Sequence, residues 1–469
     1  MEHRQLTIRL SKEMVKGTVT RMAVYLRSKI VEVNVSEELT CYLVFYMDQV
    51  ISYKELRDIP KGSFLDRAFQ QGLVLISPHP LISSFLHTKE VITVPKLKGL
   101  FNELQHHFTL QEIAYVATTM DHILEKEQIS DMIREIFYHF RRNGQLFHAY
   151  QILWILSSFI PQEKWVKEAI NHVQFQKYKA MYEQGSESLV KQDPLFVELN
   201  SYLNRNDKNH ETKLHMLLKS QMRWIDRVAL YIDQLKKYKD ISVYQELLQL
   251  AQENMTKEDL TVIQMDLYSQ LPSFQLLRKD LLESFMEQQC YQKALRLIQN
   301  QKAPYEMEHY ENLEIIMENI DPKDIVDPTK LSEFLAPLFI NDSDKKERIV
   351  RRFISHLLSI YEVAEVKNWL KPLDQCQPLL AMIDDIDRMV MLSDDPDRQM
   401  ELGELFYKYG QYKKAISCFS WEMELNPTDT TTVYWISKIY GEQGLKQEAK
   451  AYQQSYIQLL KYSDRMSNN

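Results

Sequence analysis

Between residues 399 and 460 the chain repeats itself. Displaced by 34 residues, Phe406 falls on Tyr440, Gly410 on Gly444 and Ala415 on Ala449. A fixed period of this length is produced by paired helices, which bury their apolar faces only by stacking one pair on the next. Each residue type has a physical reason. Gly410 and Gly444 follow helical runs, where a glycine takes the left-handed conformation that ends a helix. Ala415 and Ala449 are small where two helices cross closely. Pro427 cannot continue the second helix of its pair.

The same spacings recur elsewhere. Phe140, Gly144, Ala149, Leu153 and Pro161 stand in the same mutual register as Phe406, Gly410, Ala415, Phe419 and Pro427. A more degenerate copy over 285–301 keeps Phe285, Tyr291, Ala294 and Ile298, with Gln289 where a glycine would stand. Leu402, Gly403, Phe406, Gly410, Tyr412, Ala415, Phe419 and Pro427 together resemble the tetratricopeptide repeat (TPR) family. The second C-terminal copy departs from that pattern: Lys446 replaces the tyrosine and Gln453 the phenylalanine. The resemblance implies an α-solenoid of helical hairpins, a binding scaffold whose concave face is lined by the first helix of each pair. It puts Tyr407, Lys408, Tyr434 and Lys438 on or near that groove. The family's clamp for a terminal carboxylate is not implied, because Met400 and Glu404 occupy its Lys and Asn positions.

Composition agrees with a mainly α chain. There are 10 glycines in 469 residues, and none between Gly185 and Gly403. A nucleotide-binding sheet needs glycine for turns and phosphate approach, and helices joined by polar turns do not. Hydrophobic residues make up 45% and charged residues 26%, the balance of a chain with a core. A net charge of −8 argues against a general nucleic-acid coat. Four scattered cysteines without a CxxC pair read as reduced thiols. The most apolar run, 152–160, is shorter than the roughly 20 residues a membrane span needs, and a cytoplasmic protein with no membrane association is expected. The chain divides by pattern into an N-terminal α+β region (1–125), degenerate helical repeats (126–395), the C-terminal pair (396–460) and a flexible tail (461–469). The polar stretch 185–212 reads as a linker, and Pro322, Pro328 and Pro337 mark a bend.

The first 125 residues are the least regular. The pattern suggests helices over 11–29, from Ser36 with a stripe of Leu39, Leu43, Tyr46, Met47 and Val50, over 52–58 and over 62–71, followed by strands at 72–77 and 91–94. Two readings fit. One is a small cap on the helical scaffold. The other is a winged helix-turn-helix that reads DNA, with Lys54, Arg57, Lys61 and Arg67 near its recognition helix, making the chain a peptide-sensing transcription regulator.

No set of residues reads as catalytic, and no cofactor or metal is called for. There is no HExxH, Walker, GxGxxG or GxSxG motif. His106 and His107 diverge by about 100° if helical and cannot share an ion. The acidic run from Asp384 to Asp397 lacks the central glycine of a calcium loop. What remains is a surface. On the helix 131–142, Ile133, Phe137 and Phe140 point one way, while Arg134, Tyr138 and Arg141 share an adjoining side with Arg142 beyond. Guanidinium forks beside a phenol suit another protein or peptide that is acidic or carries a free carboxylate.

Overall fold

The computed structural model describes residues 4–10, 13–36, 39–185, 188–300, 307–325, 327–336, 344–376 and 379–467. It is mainly α, with its strands confined to the first hundred residues. Two compact units divide the chain, 1–277 and 278–469.

The first unit is built on a sheet. Its strands are β1 (Gln5–Arg9), β2 (Met14–Tyr25), β3 (Ser28–Ser36), β4 (Leu39–Tyr46), β5 (Gln49–Leu56), β6 (Leu73–Ile76) and β7 (Val91–Thr93). The order is β5-β4-β3-β2-β1-β7, and β6 pairs with the second half of β2. Neighbours along the meander are antiparallel, and β7 runs parallel to β1.

The sheet corrects the helices expected over 11–29, from Ser36 and over 52–58. Those segments are β2–β3 and β4–β5, and with them goes the winged helix-turn-helix. The physical reason is burial on both faces. Tyr42, Val44 and Tyr46 of β4 enter one apolar core together with helices Phe64–Gln71, Leu110–Thr118 and Leu146–Phe159. Cys41, Leu43 and Phe45 enter another, with helices Pro80–Leu86, Trp224–Tyr238 and Ile241–Asn254. A strand covered on both sides loses its alternation of apolar and polar residues. The turns also lack their usual signature: Leu26 and Met47 take positive φ at the β2–β3 and β4–β5 reversals, where Asn or Gly is normal. Helix Phe64–Gln71 and strands β6 and β7 lie where the pattern placed them.

The sheet is not a separate cap, since its two cores run on into helices as far as Leu277. Nor is 185–212 a linker. Residues 186–187 lie outside the described residues, but helix Pro194–Leu203 is capped by Asp193 and buries Leu195, Phe196, Leu199 and Tyr202.

Charges inside this unit are paired over long sequence distances. The β2–β3 turn carries Arg27 and Lys29, both buried. Arg27 donates to Glu198 at 2.7 Å, Glu112 at 2.9 Å and the Tyr46 hydroxyl at 3.2 Å. Lys29 donates to Asp226 at 2.9 Å. Arg223 bridges Glu198 and Asp226 and closes the network. Three cations meet three carboxylates from helices Leu110–Thr118, Pro194–Leu203 and Trp224–Tyr238.

The second unit consists of helices over its described residues. Its pairs include Gln399–Lys408 with Tyr412–Leu425 and Thr430–Glu442 with Lys446–Ser467. Phe419 packs flat on Gly403, where an added Cβ would lie 2.6 Å from the ring. The helix to Ser467 replaces the flexible tail expected from 461; Asn468 and Asn469 lie outside the described residues. Pro328 opens a helix, and Pro337 is outside them.

One turn recurs through both units. At Gly144, Met222, Gln289, Gly410 and Gly444 the backbone takes φ between +54 and +75°. At each, the following residue's N–H donates to a carbonyl five back: Gln145 to Phe140, Arg223 to Leu218, Cys290 to Phe285, Gln411 to Phe406 and Leu445 to Tyr440, at 2.8–3.0 Å. The left-handed residue itself donates three back, at 2.9–3.1 Å. This pair of bonds is the Schellman motif. Five helical hairpins are therefore closed by the same device, two of them without glycine. The left-handed conformation costs a non-glycine residue about 1–2 kcal/mol.

Met222 is 88% exposed and Gln289 is also exposed, so neither contributes core packing. Met222→Gly and Gln289→Gly should each stabilise by about 1 kcal/mol, and Gly144→Ala, with open space around it, should destabilise by a similar amount. Urea melts check this; a loss of stability in both glycine variants would refute it. A second prediction concerns acid. Burial opposes ionisation of Asp226, but Arg223 and then Lys29 outweigh it and bring its pKa from 3.8 to about 2. A carboxyl with a lower pKa folded than unfolded gives stability that is complete above the unfolded value and is lost as pH falls through the folded one. Between pH ~4 and ~2 the wild type should lose about 2 kcal/mol that Asp226→Asn, already weaker at pH 7, does not lose again.

Candidate functional site

Apart from Lys408, the side chains singled out by the sequence fall on two surfaces, one in each unit. The first is the helix Lys126–Arg142. Ile129, Ile133 and Phe137 bury its apolar side. Arg134 lies over the Trp165 ring at 4.6 Å and donates to Asp131 at 3.3 Å. Arg142 donates to the Tyr138 carbonyl at 3.2 Å, near the negative end of the helix dipole. Tyr138 is 41% exposed. Arg141 is exposed and has no ion pair among the described residues. The pattern thus brings four residues to one helix; the Tyr138 ring packs against Phe137 at 5.1 Å between centroids, and Arg141 forms no ion pair among the described residues.

The second surface lies on the C-terminal hairpins. The Lys438 ammonium sits 4.7 Å from the Tyr407 ring and 4.6 Å from the Trp435 ring. Tyr407 and Tyr412 both donate to Glu442, at 2.5 and 3.1 Å. Tyr434 is 48% exposed and packs against Tyr456 at 5.8 Å between centroids. Tyr407, Tyr434 and Lys438 therefore share a patch with Trp435, which was not singled out. Its signal was readable: Trp435 lies between Tyr434 and Lys438, and Phe419 stacks on it at 5.8 Å.

Lys408 is elsewhere. Its ammonium donates to Asp385 at 2.5 Å, and Asp385 also accepts from the Tyr409 hydroxyl at 2.9 Å. The acidic run is thereby partly explained: Asp385 is a buried acceptor, Asp387 pairs with Lys367 at 2.8 Å and Asp395 accepts the Asp397 N–H. Among the described residues no group of His, Cys, Asp and Glu could hold a metal ion.

Lys408 also edges a cavity of about 320 Å³ within the second unit, walled by Met317 and by Arg348, Arg351 and Arg352 of helix Asp344–Ile360. Ser355 of that helix donates to the Tyr409 carbonyl at 2.8 Å and fixes it against the Gly410 turn. Arg348 faces Glu314 at 3.5 Å and Arg351 pairs with Glu347 at 3.1 Å. Arg352 has no partner among the described residues. The three arginines recur at i, i+3 and i+4 in RIVRRF, a spacing that puts them on one side and that the sequence reading passed over.

No family model matches the chain, and no curated protein matches it. Among solved structures, that of Naa15/Naa10 bound to HypK-THB aligns at 10% identity and a TM-score of 0.20, over 77% of this chain. This chain spans 60% of the length of the chain it matches there. A TM-score of 0.20 is too low for the likeness to specify fold or function.

Removing the Asp385 acceptor should unsettle the second unit. Asp385→Ala leaves the largely buried Tyr409 hydroxyl without its partner and should destabilise by about 1–3 kcal/mol. Lys408→Met, at a half-exposed position, should cost less than about 1 kcal/mol. Equal losses in guanidinium melts would show that the ammonium, not the phenol, is the critical donor.

Proposed function

We propose that the protein is a non-enzymatic scaffold or adaptor of TPR type that binds another protein or peptide on its helical hairpins. The observation that carries this reading is the C-terminal patch. Lys438 is held between the Tyr407 and Trp435 rings, the exposed Tyr434 stands beside it, and Glu442 fixes the phenols of Tyr407 and Tyr412. Exposed aromatic side chains with a positioned cation are the residue types that dominate binding at protein interfaces. The five identical hairpin turns support a repeat architecture, and the glycine, alanine and phenylalanine positions of the C-terminal pair support the TPR assignment. A partner segment that is acidic, or that ends in a free carboxylate, fits Lys438 here and Arg141 on the other surface. The DNA-binding alternative is not retained, since the helices it needed before Phe64–Gln71 are strands. No described helix is long and apolar enough to cross a membrane, which suits the cytoplasmic location we infer.

The test is affinity capture from the native cell with the full chain and with Tyr434→Ala/Lys438→Glu. Tyr434 is half-exposed and Lys438 is only partly buried, so the fold should persist, and the melting temperature of both proteins is measured alongside. A partner retained by wild type should bind the double variant at least tenfold more weakly, about 1.4 kcal/mol. Its capture should also weaken with added salt. Equal capture by both proteins would remove the C-terminal patch as the binding surface.

A further inference from the structure

The first unit contains a cavity of about 240 Å³ that includes none of Arg134, Tyr138, Arg141 and Arg142 and meets their helix only at its first residue, Lys126. It lies among helices Phe64–Gln71, Leu110–Thr118, Leu146–Phe159 and Pro194–Leu203 and the end of β2. That volume would hold about eight waters at roughly 30 Å³ each. The space opens to solvent on one side and is the kind of concavity in which small ligands bind.

The walls are mostly apolar. Tyr25 and Trp154 offer rings, and Leu203, 54% exposed, stands at the open side. Tyr115 lines the same space, and its buried hydroxyl has no hydrogen-bond partner among the described residues. Charge is confined to one end. Asp121 is almost wholly buried and already accepts the Phe64 N–H on both oxygens, at 2.8 and 3.0 Å, with Arg67 at 3.6 Å. Arg67 also donates to the Gly62 carbonyl at 2.7 Å and keeps a third of its side chain exposed. Lys126 is exposed at the start of its helix and has no ion pair or hydrogen bond among the described residues. The one carboxylate thus faces two cations, Arg67 and Lys126, and this end of the site carries a net positive charge.

We infer that this cavity binds a small organic carboxylate with an aromatic or apolar body. The body would lie against Tyr25 and Trp154, and the carboxylate would meet Lys126 and Arg67. A cationic ligand is disfavoured, because the only carboxylate lining the site is enclosed and occupied. An uncharged ligand would forgo the ammonium. This inference is independent of the scaffold reading and of the C-terminal patch.

The experiment is titration calorimetry on the full chain at low salt, with 3-phenylpropionate, 3-phenylpropanamide and phenethylamine as probes. The carboxylate should bind saturably at one site, and the amide and the amine at least tenfold more weakly. Lys126→Glu should also weaken the carboxylate at least tenfold; an acidic residue in the first helical turn suits the helix dipole, so the fold should persist. Ser158→Trp, which places a bulky ring at an exposed position on the rim, should abolish binding with an unchanged melting temperature. Trp154→Phe should keep calorimetric binding but lose the change in tryptophan fluorescence. The inference is overturned if no probe binds saturably, if the amine equals the carboxylate, or if Lys126→Glu or Ser158→Trp binds as wild type does.

Discussion

The first unit depends on neutralising two cations that its own sheet carries inside. The β2–β3 turn delivers Arg27 and Lys29 to the interior, and their carboxylates come from 85 to 197 residues further along the chain. A buried charge without its partner is several kcal/mol worse than one that is paired. The sheet is therefore complete only when helices Leu110–Thr118, Pro194–Leu203 and Trp224–Tyr238 are in place. That coupling explains why the unit runs to Leu277 instead of ending with the last strand. Tyr202 adds a further tie, its hydroxyl donating to the Val24 carbonyl at 3.1 Å.

This dependence also explains what the sequence hid. A helix with a glutamate at its centre, flanked by GSES and NRNDKNHET, looks like surface. Glu198 is in fact among the most buried acidic residues of the unit, and its two arginine partners are remote in sequence. The strands were hidden by the same enclosure. Covered on both faces, β4 shows no alternation, and its Leu39, Leu43 and Tyr46 also satisfy a helical period. The turns would have exposed them had Asn or Gly stood where Leu26 and Met47 do.

The hairpins of the second unit were legible because their constraints are local. Gly410 is required by φ, Gly403 by the Phe419 ring and Ala415 by complete burial, all within one hairpin. The register found Gln289 as well, since the flanking Phe285 and Ala294 remained. Met222 escaped it: no glycine marks the turn, and Arg227 stands where the small residue would be. The surface residues were legible as types and not as engagements. Helical spacing put Arg134 with Arg141, but only the structure shows Trp165 under the Arg134 guanidinium and, among the described residues, no ring under that of Arg141.

The two units thus reach order by different routes. In the second, a helix, its Schellman turn and the next helix form a bonded set within about 30 residues, so each pair has most of its backbone satisfied before it meets a neighbour. In the first, the decisive bonds join segments that must find one another across most of the unit. Long-range closure carries a larger entropy cost before any contact repays it. It also leaves interior space whose filling is not fixed by local rules. The cavity beside Tyr115 lies at such a meeting place, where the end of β2 meets helices from across the unit, one of which, Leu146–Phe159, belongs to the hairpin closed at Gly144. The ligand site proposed in that unit and the docking patch proposed on the hairpins would each draw on one of these two modes of construction.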